Sequence, residues 1–101
     1  MVKEVNEKEF YDVINKEGKV LVDLWAPWCG PCRLLGPIVD SVSEKVNDVT
    51  FIKVNVDNED AVAAAYDVSS IPTLLVFENG KLVNRSVGYI PEKMVLDLLK
   101  K

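Results

Sequence analysis

Short apolar runs and stretches of helical period alternate along this chain. Residues 2–5 predict a short edge strand. Asn6, with Glu9 three residues later, has the form of a capping box and opens a helix with Phe10, Val13 and Ile14 on one face. Gly18 closes that stretch. Residues 20–25 are a β-rich run that suits a buried strand. Beyond Cys29 the apolar positions fall at helical spacing, through Leu34, Leu35, Ile38, Val39, Val42 and Val46. Residues 49–56 predict another strand. Asn58, with the acidic Glu59 and Asp60, predicts the start of a short helix over 61–66. Residues 73–77 and 82–87 predict two strands around Asn79-Gly80, a dipeptide that favours a tight antiparallel hairpin because both turn positions need positive φ. Pro91 begins a last helix that carries Met94, Val95, Leu98 and Leu99.

The order is therefore β-α-β-α-β-α-β-β-α, an α/β pattern. The early alternation implies parallel strands joined by right-handed crossovers, and the hairpin adds antiparallel strands at the other side. Two charges break the strand pattern. Asp23 interrupts an otherwise apolar run, Val20-Leu21-Val22 and Leu24-Trp25. In a central strand with both faces covered it is buried, and burial without a full partner raises its pKa toward neutral. On an edge strand it would face solvent instead. Lys53 interrupts Phe51-Ile52 and Val54. It either partners Asp23 from a neighbouring strand or is a plain exposed strand lysine.

Length and charge narrow the class. The 101 residues predict one domain spanning 1–101. Twelve basic and sixteen acidic residues give a net charge of −4, which disfavours nucleic acid and anionic membrane surfaces. Apolar stretches reach six residues, short of a membrane span, and charged residues follow Met1 with no apolar segment of a secretory signal. A cytoplasmic protein is expected, where cysteines stay reduced unless they do redox work.

The two cysteines lie in Trp25-Ala26-Pro27-Trp28-Cys29-Gly30-Pro31-Cys32, between a strand and a helix. Pro31 fits a helix only in its first turn, so the helix begins near Cys29. The Cys29 sulfur then sits beside unpaired N–H groups at the positive end of the helix dipole, where a thiolate is stabilised and becomes the attacking species. Cys32, three residues on, is on the same helical face and can attack a mixed disulfide on Cys29. Gly30 leaves little bulk beside the sulfur, and Pro31 stiffens the turn. Asp23, if buried nearby, can accept the Cys32 proton. Zinc is disfavoured because it wants four ligands, and the chain has no histidine or further cysteine. Ile71-Pro72 precedes a strand, a position where proline is common and often trans. Periodicity does not decide whether Trp28, Ile71, Gly88 and Tyr89 are core or surface.

Taken together these residues resemble the thioredoxin family over essentially the whole chain. The matching elements are Val22-Asp23, Trp25-Ala26, the block Trp28-Cys29-Gly30-Pro31-Cys32, Pro37, Asp57, Ile71-Pro72-Thr73, Asn79-Gly80 and Gly88. The resemblance implies a thioredoxin fold, a central five-stranded mixed sheet flanked by four helices. It implies a general protein disulfide reductase, and the Gly-Pro dipeptide is like that of the reducing members. Cys29 would be the nucleophile and Cys32 the resolving thiol, the two forming the redox-active disulfide. Asp23 would be the buried proton-transfer carboxylate with Lys53 its neighbour. Pro72 would be a cis-proline facing the disulfide, and Ile71 would offer backbone hydrogen bonds to an extended substrate. Trp28, Gly30, Pro31, Gly88 and Tyr89 would form the docking surface, and Pro37 would kink the active-site helix. No metal and no cofactor are implied. The implied partners of this monomer are thioredoxin reductase and clients such as ribonucleotide reductase, peroxiredoxin and methionine sulfoxide reductase. Leu24, Arg33 and Tyr89 depart from frequent family choices, of which the bulk of Tyr89 bears on partner preference. Two other readings compete: a reductant dedicated to one client, and a binding subunit in which redox is incidental. The intact cysteine pair argues against the second.

Overall fold

The computed structural model describes residues 1–100. Its strands are β1 (Lys3–Glu4), β2 (Lys19–Trp25), β3 (Val49–Asn55), β4 (Thr73–Glu78) and β5 (Lys81–Val87). Its helices are α1 (Glu7–Ile14), α2 (Gly30–Lys45), α3 (Asp60–Ala65) and α4 (Glu92–Leu98). The strands form one sheet in the order β1-β3-β2-β4-β5. β1, β3 and β2 run parallel, and β4 and β5 are antiparallel to their neighbours. The element order and the placing of the hairpin at one side agree with the sequence pattern.

β2 lies at the centre of the sheet, and its pleat sends successive side chains to opposite faces. Val20, Val22 and Leu24 join Ile52, Val54, Leu75 and Phe77 in a core completed by Phe10 and Ile14 of α1 and Val62 of α3. Leu21 joins Phe51, Leu74 and Val76 in a second core, completed by Leu35, Val39 and Val42 of α2 and Val95 of α4. Asp23 is two residues from Leu21 and Lys53 two from Phe51, so both point to the α2 side. The parallel register sets Asp23 directly opposite Lys53. Each fully buried Leu, Ile or Phe in these cores stabilises the fold by about 1.5–3 kcal/mol before entropy is counted.

The local signals have direct counterparts. The Asn6 side chain accepts from the Glu9 N–H at 2.9 Å, and the Glu9 carboxylate accepts from the Asn6 N–H at 3.1 Å. Asn79 (φ 51°) and Gly80 (φ 85°) make the hairpin turn. The Asn79 backbone N–H and side-chain oxygen both bond to Gly18, at 2.9 and 2.8 Å, which ties this turn to the start of β2. Two expectations are corrected. Leu34 is 64% exposed, because one step from Leu35 turns a helical side chain about 100° away from the core. α3 starts at Asp60 with Glu59 as an N-cap that makes no side-chain capping bond. The Glu59 carboxylate accepts instead from the Glu7 N–H at 2.8 Å, joining the starts of α3 and α1. Among the described residues no helix is long and apolar enough to cross a membrane.

Candidate active site

The carboxyl end of β2 runs through Ala26 to the first turn of α2, where Pro31 occupies one of the opening helical positions. Cys29 is the N-cap, with extended backbone, and its Sγ accepts the Cys32 N–H at 3.2 Å. Cys29 and Cys32 are joined in a disulfide with their Cα atoms 5.2 Å apart. Each is only 4% exposed. When that bond is reduced, the Cys32 N–H and the helix terminus both favour a thiolate on Cys29. A Cβ added at Gly30 would meet nothing within 4 Å. The space beside Gly30 is thus unfilled by the chain itself.

The other side of the disulfide is built by the turn before β4. The Ile71-Pro72 peptide bond is cis, as the resemblance implied. The Ile71 carbonyl oxygen lies 3.7 Å from Cys29 Sγ. The Gly88 N–H donates to the Pro72 carbonyl at 2.7 Å, which brings Gly88 and the half-exposed Tyr89 to the same end of the molecule. Trp28 is 67% exposed, and its indole Nε1–H is shared between the two carboxylate oxygens of Asp57 at 3.0 and 3.1 Å. Asp57 was visible in the motif but not its task; an exposed acid after a strand carries no sign that it will hold an indole. Pro37 lies inside α2, where its ring removes the amide that would bond to the Arg33 carbonyl.

Asp23 is 3% exposed, and its Oδ1 has no hydrogen-bond partner among the described residues. Burial pushes its pKa up to about 7; the Lys53 charge pulls it down and the Asp40 charge pushes it up. Lys53 makes no ion pair with it among the described residues. Its Nζ stands instead 5.4 Å from the centre of the Trp25 ring, a cation–π contact. A cavity of about 210 Å³ joins these groups, lined by Asp23, Trp25, Cys32, Arg33, Gly36, Pro37, Asp40 and Lys53. It gives the inner carboxylate a route to water on the Cys32 side of the disulfide. Sequence reasoning missed Asp40. The signal available was its spacing of eight from Cys32 through Gly36, which marks one helix stripe. The arrangement can open and close a disulfide and can store the proton released.

The thioredoxin family model matches residues 1–101. Thioredoxin of Mycoplasma genitalium is 40% identical over 99 residues, covering 97% of each chain. A solved mutant thioredoxin from Halobacterium salinarum superposes with a TM-score of 0.91 at 37% identity, covering 97% of this chain and 87% of that one. A chain from structural work on the thiol resolving mechanism of yeast mitochondrial 1-Cys peroxiredoxin via glutathione/thioredoxin systems gives a TM-score of 0.90 at 26% identity. There the coverage is 99% of this chain and 95% of the other.

Proposed function

This chain belongs to the thioredoxin family, and from that premise we propose how its residues divide the work of reducing protein disulfides. Its activity is that of a general protein disulfide reductase working through the Cys29–Cys32 pair. The Cys29 thiolate attacks a client disulfide, forms a mixed disulfide and releases one client thiolate. Cys32 then attacks Cys29 Sγ; the Cys29–client bond breaks, the Cys29–Cys32 bond forms, and the second client sulfur leaves with the electron pair. The Cys32 proton goes to Asp23, with Lys53 its charged neighbour. Trp28, Gly30, Pro31, Gly88 and Tyr89 would form the surface on which the client docks, with Pro72 facing the disulfide. Ile71 offers its backbone to an extended client segment as a strand would. The observation that carries this reading is the Cys32 N–H aimed at Cys29 Sγ from the first turn of α2.

The partners proposed are a thioredoxin reductase, which would return the pair to the dithiol, and clients of the ribonucleotide reductase, peroxiredoxin and methionine sulfoxide reductase kind. A monomeric single domain over 1–101, acting in the cytoplasm, fits this role. The test is a protein-disulfide reduction assay with two variants. Cys29→Ser should lose all reduction. Cys32→Ser should react once and accumulate as a mixed disulfide, seen as a mass shift that dithiothreitol reverses. Faster alkylation of Cys32 than of Cys29 in the reduced protein near neutral pH would reverse the two roles.

A further inference from the structure

The groove that reaches Asp23 contains a second carboxylate. Cys32, Gly36 and Asp40 recur every fourth residue on α2 and form one stripe along it. All three line the cavity that also holds Asp23. A Cβ built at Gly36 would meet nothing within 4 Å, so the stretch between Cys32 and Asp40 is unobstructed. Asp23 is buried and Asp40 is exposed, so the row leads from the inner carboxylate to water with a second carboxylate at its outer end.

We propose that Asp40 is a positioning residue for disulfide exchange: its charge, facing the groove that Gly36 leaves open, favours passage of the Cys32 proton to Asp23. This rests on Asp23 being the proton acceptor. The charged groups around that carboxylate come from two elements. α2 supplies Asp40, Arg33 and the Cys32 sulfur, and β3 supplies Lys53. On the remaining side β4 places Leu74, which is uncharged, opposite Asp23. Burial does most to hold the proton on Asp23; Lys53 opposes it and Asp40 supports it. Asp40 thus offsets part of the Lys53 charge. In the resolving step the Cys29–client bond breaks and the Cys29–Cys32 bond forms. The electron pair leaves on the client sulfur, and the Cys32 proton is taken up by Asp23. The dithiol is oxidised and the client disulfide reduced.

The reverse step uses the same groups and is simple to follow. A dithiothreitol thiolate attacks Cys29 Sγ and forms a mixed disulfide with it, the Cys29–Cys32 bond breaks, Cys32 leaves with the electron pair, and Asp23 returns the proton. The rate is measured by tryptophan fluorescence from about pH 5 to about pH 9, the range that brackets the Asp23 titration. Asp40→Asn should move the Asp23-linked inflection to lower pH. Asp40→Glu should restore it, and Asp48→Asn, on a surface outside this cavity, should leave it in place. At 1 M salt, where the screening length is about 3 Å, the difference between Asp40→Asn and the parent should shrink. Asp23→Asn should remove the inflection. If it does so while Asp40→Asn leaves the inflection of the parent unmoved, the proposal for Asp40 fails alone. If the inflection survives Asp23→Asn, the proton-acceptor reading of Asp23 fails, and the role of Asp40 with it.

Discussion

Asp23 sets function against stability. Its folded pKa is raised from 3.8 to about 7, chiefly by burial, so the folded state holds a proton that the unfolded chain has lost. The favourable contribution is full below the unfolded value and is lost as pH rises between the two. About three units at about 1.36 kcal/mol each amount to a loss on the order of 4 kcal/mol by pH 8. Asp23→Ala should escape that loss at the cost of roughly 1–2 kcal/mol of packing. It should therefore be more stable than the parent by about 2 kcal/mol at pH 8 and less stable at pH 4, with exchange slowed at the higher pH. Urea denaturation at the two pH values, with exchange kinetics alongside, checks this. A variant that is less stable at both would make Asp23 a structural group. At this scale the reactive pair and the inner carboxylate were legible, because Cys-Gly-Pro-Cys and a lone acid in an apolar strand are local anomalies. Asp40 was not, since an exposed acid on a helix looks like any solvated residue until the fold sets it across a groove from Asp23.

Elements announce themselves where the backbone needs a particular side chain. Asn6 and Glu9 start α1 by satisfying each other's amides, and Asn79-Gly80 supplies the two positive φ values of the hairpin. Each requirement is met within four residues, which is why it could be read. The strand order could not, because the entry of β3 between β1 and β2 depends on contacts between distant segments. The orientation of Lys53 followed from that order: parallel pairing in register with Asp23 puts both on the α2 face. The capping box gives a prediction for this scale. Asn6→Ala removes one bond of the pair and loosens the other, and should cost about 1 kcal/mol. The urea midpoint should fall with the slope unchanged. Disulfide exchange should keep its rate, since the buried side chains of α1 pack in the core on the face of the sheet away from Asp23. A slower exchange at equal folded fraction would mean that α1 reaches the cysteines by a route the packing does not contain.

The sheet carries a core on each face, with a small third cluster of Ala26, Cys29 and Cys32 at the end of β2, and Asp23 lies on the α2 side. Leu74 and Leu75 are neighbours on β4, both fully buried, pointing to opposite faces. Leu74 stands opposite Asp23 and packs with Leu35 and Val39 of α2; Leu75 stands opposite Val22 and belongs to the core of α1 and α3. Truncating either to alanine should cost about 2–5 kcal/mol, because each leaves a cavity in a close-packed core. The effects on exchange should differ. A void at Leu74 lets the surroundings of Asp23 relax and admit water, which weakens the burial that raises its pKa. The Asp23-linked inflection of the rate of disulfide opening should then move to lower pH in Leu74→Ala. In Leu75→Ala the sheet itself stands between the void and the carboxylate, so the inflection should stay with that of the parent despite a similar loss of stability. Both variants are compared under conditions where each is fully folded, with the fraction folded read from denaturation curves. Equal displacement of the inflection in the two would show that general loosening governs the site. A displacement confined to Leu74→Ala would show that the α2-side core sets the proton affinity of Asp23, while the α1 and α3 side serves to hold the sheet together.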